Sequence, residues 1–218
     1  MLLQEIADNL RRRRRSSAFT SIYKNRLWSG SESASGEGSG LLFTESIRST
    51  LPKLLADLQV QTLLDAPCGD FCWMKEVPFK LKQYFGIDIV RPLIENNASL
   101  YGNGERQFLL CDLVNDELPC ADLILCRHLL IHLTFEEGLR VLKNFQRTGA
   151  CYLLISDQPQ VTTNNKILRT GSFRPLNLRL PPFSLPAPAV SLDDSADGDG
   201  SAIVALYSLQ ELRLDLQS

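Results

Sequence analysis

The feature that most constrains the fold is a regular alternation, from Thr62 onward, of short apolar runs with amphipathic stretches. Each apolar run has the length and composition of a strand that is buried on both faces. The runs are Thr62–Ala66, Gln83–Asp88, Gln107–Asp112, Ala121–Cys126 and Cys151–Ser156. Strands that alternate with helices predict an α/β fold with a doubly wound, parallel sheet.

Helical stretches separate several of these runs. Pro92–Tyr101 lies between the second and third runs, and Phe135–Phe145 lies between the fourth and fifth. The C-terminal part differs, because the proline-rich segment Pro181–Pro188 is followed by strand-like residues near Val190 and by a last strand, Ile203–Leu209. The sequence therefore predicts a Rossmann-like, mostly parallel, seven-stranded sheet that carries an antiparallel hairpin at its C-terminal edge.

The segment before the sheet predicts an N-terminal helical extension, residues 1–58, ahead of a domain that spans 59–218. Residues 2–15 form a helical pattern that ends in the arginine run Arg11–Arg15. Such a run contacts phosphates or forms a solvated helix end, and the second interpretation is favoured. Residues 29–40 are rich in Gly and Ser, which predicts a flexible stretch, and a helix follows over 41–58 with a kink or break at Pro52. The segment 19–44 is either a lid over a ligand or a linker.

Composition and charge exclude several classes of protein. The chain has 218 residues, 44% of them hydrophobic and 22% charged, as expected for one globular domain. The net charge of −2 argues against nucleic acid or an anionic membrane as partner. No apolar run is long enough to cross a bilayer, and Glu5 and Asp8 lie where a leader peptide avoids acids. Cysteines within apolar runs favour a cytoplasmic protein.

Acidic residues close three successive predicted strands. Asp65 precedes a turn that contains Gly69, Asp88 closes the second strand, and Asp112 closes the third. Ligands of open α/β sheets bind beyond the C-terminal ends of the strands, where a glycine lets the backbone approach closely. A single acid there is more often a capping residue. Three in this order predict a nucleoside that lies across the strand ends.

Other chemistries are disfavoured by missing residues. A nicotinamide dehydrogenase requires Gly-x-Gly-x-x-Gly after the first strand, and this motif is absent. Cys68 and Cys72 lack the third cysteine of an iron–sulfur motif, and no paired Cys-x-x-Cys supports zinc. The acidic stretch from Asp193 resembles half a calcium loop, but its twelfth position is Val204 instead of Glu. No metal site is predicted.

The first motif, from Leu64 to Met74, together with 84–89, 110–113 and 122–133, resembles the successive motifs of class I S-adenosylmethionine-dependent methyltransferases. It is most similar to a subgroup with Asp-x-Pro-Cys-Gly-Asp-Phe-x-Trp-Met in this position. Tyr23, Trp28 and the Gly/Ser stretch resemble an upstream pattern of the same subgroup. Pro67 and Phe71 replace two glycines of the general motif, and the subgroup tends to have Asp where this chain has His128.

The resemblance implies S-adenosyl-L-methionine as cofactor. Asp65 is expected to hold the methionine amino group, Asp88 the ribose and Asp112 the adenine. Trp73 and Phe71 are expected to pack on the cofactor, and for Trp73 a place in the core is the alternative. The predicted cofactor-binding set is Tyr23, Trp28, Asp65, Pro67, Gly69, Asp70, Phe71, Trp73, Asp88, Ile89, Asp112, Leu113 and Cys126.

The acceptor side of the site is less well defined by sequence. His132 is a candidate general base or a structural histidine, and Arg127 is expected at the mouth of the cleft. The long loop from Asp157 to Pro182 carries Arg174 and Asn177, which are expected to contact the acceptor, although Arg174 paired with an acid would pin the loop instead. Two hypotheses stay open: a methyltransferase acting on a small molecule by in-line transfer, and an inactive cofactor-binding or regulatory module. Sequence leaves the acceptor atom and the oligomeric state open.

Overall fold

The computed structural model describes residues 2–28, 30, 32–78, 80–195 and 198–214. The predictions for the stretches 29–40 and 193–199 therefore lie partly outside the described residues, at positions 29, 31, 196 and 197. The helices are α1 (Leu2–Lys24), α2 (Glu45–Asp57), α3 (Arg91–Tyr101) and α4 (Phe135–Arg147). The strands are β1 (Thr62–Asp65), β2 (Gln83–Asp88), β3 (Arg106–Leu110), β4 (Leu123–Cys126), β5 (Tyr152–Asp157), β6 (Val190–Asp193) and β7 (Ile203–Ser208). Short 3-10 turns cover Glu37–Ser39, Met74–Glu76 and Leu130–His132.

The strands form one seven-stranded sheet in the order β3-β2-β1-β4-β5-β7-β6. Strands β1 to β5 are parallel, whereas β7 is antiparallel to both β5 and β6. The predicted Rossmann-like sheet with an antiparallel C-terminal pair is therefore confirmed. The strand order reverses between β1 and β4, and this switch point fixes where a ligand crevice forms in an open α/β sheet.

Two apolar layers cover the faces of the sheet. On one face, α2 and α3 pack through apolar side chains such as Ile47, Leu51 and Leu93. On the other face, α4 packs through Val141, Leu142 and Phe145, each with no exposed surface. Residues three and four positions apart lie on the same face of a helix, as Val141 and Leu142 do relative to Phe145. This spacing presents a single apolar stripe to the strands.

The start of α4 is fixed by a capping box. The Thr134 hydroxyl accepts a hydrogen bond from the Glu137 backbone N–H, and the Glu137 carboxylate accepts one from the Thr134 backbone N–H. The same carboxylate accepts a hydrogen bond from the Thr170 hydroxyl at 2.7 Å. Glu137 therefore ties the long loop after β5 to the helix start, close to the C-terminal end of β4.

One prediction about the N-terminal helices is wrong, and of the kink or break expected at Pro52 the structure excludes the break. Helix α1 continues nine residues beyond Arg15, to Lys24, so the arginine run lies inside the helix and is no helix end. Helix α2 begins at Glu45, and Pro52 lies within it without breaking it. A proline removes one backbone hydrogen bond from a helix. In α2 this loss is offset by four apolar side chains that are buried: Ile47, Leu51, Leu54 and Leu55.

None of the helices in the described part of the chain is both long and apolar enough to cross a membrane.

Candidate functional site

A cavity of about 630 Å³ lies beyond the C-terminal ends of the first four strands, at the switch point of the sheet. This volume is within the usual range for small-molecule sites, roughly 300–1,000 Å³. Three parts of the chain enclose it: the loop after β1, the segment from α1 to Ser39, and the long loop after β5. Parallel strands place their carboxyl ends at one edge, so this arrangement follows from the topology.

The cavity brings most of the predicted cofactor-binding residues together. Those that line it are Tyr23, Trp28, Pro67, Gly69, Asp70, Trp73, Asp88, Ile89, Asp112 and Leu113. Asp65, Phe71 and Cys126 do not line it and are buried beside it.

Gly69 lets the loop after β1 approach the segment above it. Its backbone is left-handed, with φ +55, and a Cβ at this position would lie 2.6 Å from the Ser35 hydroxyl oxygen. That hydroxyl accepts a hydrogen bond of 2.8 Å from the Asp70 backbone N–H. A side chain at position 69 would therefore separate the two segments. The loop requires glycine here both for conformation and for space.

The Asp70 carboxylate continues this link. Its two oxygens accept hydrogen bonds of 3.0 Å from the Ser33 hydroxyl, and Oδ2 accepts one of 2.7 Å from the Ala34 backbone N–H. The Gly/Ser-rich stretch is thus hydrogen-bonded to the loop after β1 and forms the roof of the cavity. One side-chain hydroxyl and one backbone N–H of this stretch thus converge on a single carboxylate.

Asp88 ends β2 and lines the cavity. Only 8% of its surface is exposed, and its Oδ1 accepts a hydrogen bond of 3.0 Å from the Val90 backbone N–H. Burial raises the pKa of Asp88 to about 6, although nearby backbone N–H groups lower it. A carboxylate held in this way at the end of the second strand has the position and the acceptor oxygens needed to bind ligand hydroxyls.

Asp65 is oriented differently. Its carboxylate is buried and accepts a hydrogen bond of 2.5 Å from the Tyr84 hydroxyl. Burial raises the pKa of Asp65 to about 7. The expected direct contact with a methionine amino group thus finds no support in its position, because Asp65 does not line the cavity and its carboxylate accepts the hydrogen bond from the Tyr84 hydroxyl.

Phe71 also departs from its expected position. Its backbone is left-handed, with φ +59, and its ring packs on Tyr84 and Phe108 with centroids 5.3 and 5.1 Å apart. It belongs to the core beneath the loop, so it occupies a glycine-like backbone position and not a cofactor-packing one. Trp73 does line the cavity, under the guanidinium of Arg127.

Asp112 lies two residues beyond β3 and is paired with Arg15 of α1. Arg15 Nη2 is 2.6 Å from Oδ2 of Asp112, and Arg15 Nε is 3.2 Å from Oδ1. Arg15 Nη1 also donates to Glu137 at 3.3 Å. The Arg15 and Asp112 side chains are only 3% and 2% exposed, respectively. A buried charge network thus joins α1, the end of β3 and the start of α4.

The arginine run is exposed from Arg11 to Arg14, as the solvated interpretation expects, but it does not end the helix, and Arg15 is buried. Besides Arg15, Arg12 pairs with Asp116 at 2.7 Å. Sequence reasoning missed Arg15 as a site residue, although a signal was present. Arg15, Phe19 and Tyr23 are four residues apart, so they share one helical face, and all three line the cavity.

An aromatic cluster forms the side of the cavity beneath the roof. Trp28 stacks on the His132 ring, with centroids 4.1 Å apart and an interplanar angle of 25°. Phe19 meets Trp28 edge-on at 5.9 Å, and Phe173 from the long loop lies 6.1 Å from His132. These rings offer flat apolar surfaces to a ligand, since Trp28, His132 and Phe173 all line the cavity.

His132 lies in the 3-10 turn Leu130–His132, not on a full helix. Its Nδ1 is 3.1 Å from the Ser172 carbonyl oxygen, which assigns the proton to Nδ1 and leaves the lone pair on Nε2. Burial lowers the pKa of His132 to about 4. The imidazole is therefore neutral at neutral pH.

Three residues expected at the acceptor side lie outside the cavity. Arg127 is buried and pairs with Asp194, with 2.9 Å between Nη2 and Oδ1. Arg174 lies over the Phe135 ring at 4.3 Å and donates to the Leu130 carbonyl at 3.3 Å. Asn177 donates to two carbonyl groups of its own loop. These contacts fix the positions of the loops. The long loop lines the cavity through Asp157 and Gln158 at its start and through Phe173 and Leu176 further on.

Among the described residues, no cluster of three or more His, Cys, Asp or Glu side chains could hold a metal ion.

Comparisons with known proteins support the fold. No protein-family model and no curated protein sequence matches the chain. Among solved structures, N-methyltransferase NodS from Bradyrhizobium japonicum WM9 with S-adenosylhomocysteine shares 16% identity at a TM-score of 0.54, covering 75% of this chain and 86% of NodS. The DhpI complex with S-adenosylhomocysteine shares 14% at 0.53, covering 75% and 82%.

Human N-acetylserotonin methyltransferase with S-adenosylmethionine shares 14% identity at a TM-score of 0.51, covering 86% of this chain and 57% of that one. Identities this low establish the fold alone. The chain has the Rossmann-like fold of these methyltransferases, with an N-terminal helix and antiparallel strands at one edge of the sheet.

Proposed function

We propose that this protein is an S-adenosylmethionine-dependent methyltransferase that acts on a small-molecule acceptor. The observation that carries the proposal is that the Gly69 loop, Asp88 and Asp112 all line one cavity at the switch point of the sheet. When bound, S-adenosylmethionine supplies an electrophilic methyl group on a sulfonium. The protein itself has to bind the cofactor and the acceptor, orient them for in-line transfer and exclude water.

The residues at the strand ends fit the chemistry of this cofactor. Asp88 offers carboxylate oxygens for the ribose hydroxyls, and the Gly69–Asp70 backbone lies close enough for the methionine part. Asp112 would meet the adenine amino group at the end of β3, although Arg15 and the Val114 backbone N–H already donate three hydrogen bonds to its carboxylate. A carboxylate has about four acceptor positions, so one is left at most for the ligand. Trp73, Ile89 and Leu113 would supply the apolar contacts.

The N-terminal segment would complete the site. We propose that residues 1–58 cap the domain formed by residues 59–218, with the segment 19–44 as a lid. The support is that α1 and the residues just after it contribute side chains to the cavity, among them Phe19, Tyr23 and Trp28. The hydrogen bonds between the roof and Asp70 would form or break as the lid moves.

The aromatic cluster suggests where the acceptor lies. Trp28, His132 and Phe173 present ring faces on the side of the cavity towards the long loop, and a flat small molecule could pack there. The cavity volume of about 630 Å³ is of the size that small-molecule ligands occupy. Arg127, Arg174 and Asn177 are not assigned a catalytic role, because their side chains are used elsewhere.

The experiment is turnover of S-adenosylmethionine with a labelled methyl group, incubated with a panel of small hydroxyl, amine and carboxylic acid compounds. Methylated product and S-adenosylhomocysteine should form together in equal amounts. The Asp88→Ala variant should lose turnover at low cofactor concentration, while Asp57→Ala, an exposed acid on α2, should retain it. Tight cofactor binding without any methylated product would favour the regulatory module instead.

A further inference from the structure

His128, which the sequence left without a role, lies in the cavity in a strained conformation. It follows β4 and Arg127, and its backbone is left-handed, with φ +54, which is uncommon for a residue other than glycine. Its backbone N–H donates to the Ser156 hydroxyl of β5 at 3.0 Å. Its side chain is about one-third exposed, and the exposed part lines the cavity. Strained positions of this kind are concentrated at functional sites.

A buried carboxylate lies behind the His128 ring. Asp194, directly after β6, has a fully buried side chain, and its Oδ2 is 3.4 Å from His128 Nε2. Arg127 holds the same carboxylate through Nη2 at 2.9 Å and Nε at 3.0 Å, so the orientation of Asp194 does not depend on the histidine. Contacts between catalytic groups are often this long before substrates bind and then shorten.

The carboxylate determines which ring nitrogen of His128 carries the proton. A neutral imidazole beside a carboxylate keeps its proton on the nitrogen that faces it, here Nε2. The lone pair is then on Nδ1. Gly38 in the roof lies on that side, where a Cβ would be 3.3 Å from Nδ1 and 3.1 Å from Cε1. Because Gly38 has no side chain, space remains beside the basic nitrogen within the cavity.

We infer that His128 and Asp194 form a histidine–carboxylate pair in which His128 Nδ1 removes the proton from a hydroxyl-bearing acceptor. This rests on the proposed methyltransferase function. As His128 takes the hydroxyl proton, the acceptor oxygen forms a bond to the methyl carbon. The carbon–sulfur bond of the donor breaks, and its electron pair stays on sulfur. The products are a methyl ether, S-adenosylhomocysteine and an imidazolium, which releases its proton to water.

A hydroxyl is an acceptor that such a base activates directly, by taking the proton from the atom that attacks. A carboxylic acid is already ionised at neutral pH and requires no proton removal, whereas a hydroxyl gains nucleophilicity as its proton leaves. Asp194 would stabilise the imidazolium formed in the process. The Trp28 and Phe173 faces are suited to the ring of an aromatic alcohol.

The charges around His128 favour the neutral, basic form. Burial and the positive charge of Arg127 lower the pKa of His128, and Asp194 opposes them. His132 also faces it, and burial lowers the pKa of His132 to about 4. What distinguishes the two rings is geometry: within the part of the chain that the structure describes, His128 has a carboxylate partner that would stabilise an imidazolium, whereas His132 contacts the Ser172 carbonyl and stacks on Trp28.

The first test is the tautomer of His128, measured by nitrogen-15 NMR on histidine-labelled protein. The chain contains two histidines, so the variant His132→Gln assigns both rings. We expect His128 at pH 7 to carry its proton on Nε2 and none on Nδ1. Asp194→Asn should change the tautomer balance or the pKa, while Asp199→Asn, in the same acidic stretch, should leave both unchanged. A proton on Nδ1 in the unmodified protein would overturn the proposal, whether or not Asp194→Asn folds.

The second test is turnover with S-adenosylmethionine and a panel of phenols, carboxylic acids and amines. His128→Gln should lower kcat for a phenolic acceptor by about 10²- to 10⁴-fold and abolish the rise of kcat with pH. Its affinity for S-adenosylhomocysteine should be unchanged. Loss of kcat in His132→Gln with full activity in His128→Gln, or turnover of carboxylic acids only, would contradict the inference. Failure of the unmodified protein to bind S-adenosylhomocysteine would instead refute the proposed function, and the tautomer measurement would still decide whether the pair exists.

Discussion

Replacing Arg15 tests whether α1 is joined to the site by buried charge. The variant Arg15→Met keeps most of the aliphatic length but removes the guanidinium that contacts Asp112 at 2.6 Å and Glu137 at 3.3 Å. Asp112 keeps its hydrogen bond from the Val114 backbone N–H, at 3.1 Å, but loses its only cationic partner among the described residues. A carboxylate that is 2% exposed would then be left without a counter-charge.

The expected magnitude follows from this burial. Removing one partner of a buried ion pair costs roughly 3–5 kcal/mol, because the other charge remains desolvated. For a domain of this size each kcal/mol lowers Tm by about 2–4 °C, so Arg15→Met should melt roughly 10 °C below the unmodified protein. Part of the loss should be recovered in Arg15→Met/Asp112→Asn, which removes the unpaired charge.

The assay is thermal and urea unfolding followed by circular dichroism. The matched control is Arg14→Met, because Arg14 is the neighbour in the same run and is exposed. A surface substitution of this kind should change the free energy of unfolding by no more than about 0.5 kcal/mol. Equal unfolding midpoints for Arg14→Met and Arg15→Met would refute the argument that Arg15 is a buried link.

Three further predictions follow from the loop, the buried acid and the roof. In Gly69→Ala the new Cβ would lie 2.6 Å from the Ser35 hydroxyl oxygen on a backbone at φ +55, so the free energy of unfolding should fall by about 1–3 kcal/mol and S-adenosylhomocysteine should bind more weakly. Gly104→Ala, which has open space around it, should change neither stability nor binding. Burial raises the pKa of Asp65 in the folded protein to about 7, above its ordinary value of 3.8, so the free energy of unfolding should fall as pH rises from about 4 to 7. Urea unfolding at several pH values measures this dependence, and Asp65→Asn should flatten it. Hydrogen exchange over residues 19–44 should slow when S-adenosylhomocysteine is added, and an unchanged rate would leave the segment a linker.

Much of the fold could be predicted because a buried strand appears in the sequence as a short run of apolar residues. The apolar runs that became β1 to β5 are short and bounded by polar residues, and this length is typical of strands and too short for helices. The positions of Asp88 and Gly69 followed from the same reasoning, since the ends of parallel strands share one edge of the sheet. These residues depend on the backbone path alone.

The residues that could not be predicted depend on distant partners. Arg174 is polar and lies in a long loop, but its side chain turns to Phe135, which no local pattern indicates. Arg15 pairs with Asp112, 97 residues away, and Asp194 comes to His128 only because β6 joins the far edge of the sheet. The direction of the side chain at such positions is decided by tertiary packing. It can be inferred only when the topology of the fold is already known.

Calorimetric titration of S-adenosylhomocysteine into the protein and its Asp88→Ala variant tests the central claim most directly. The unmodified protein should bind one equivalent, and so should the control Asp57→Ala, whose carboxylate is exposed on α2. Loss of the Asp88 carboxylate should weaken binding by roughly 1.5–3 kcal/mol, which is about a 10- to 150-fold increase in Kd. Absence of binding to the unmodified protein, or equal affinity in Asp88→Ala, would contradict the account.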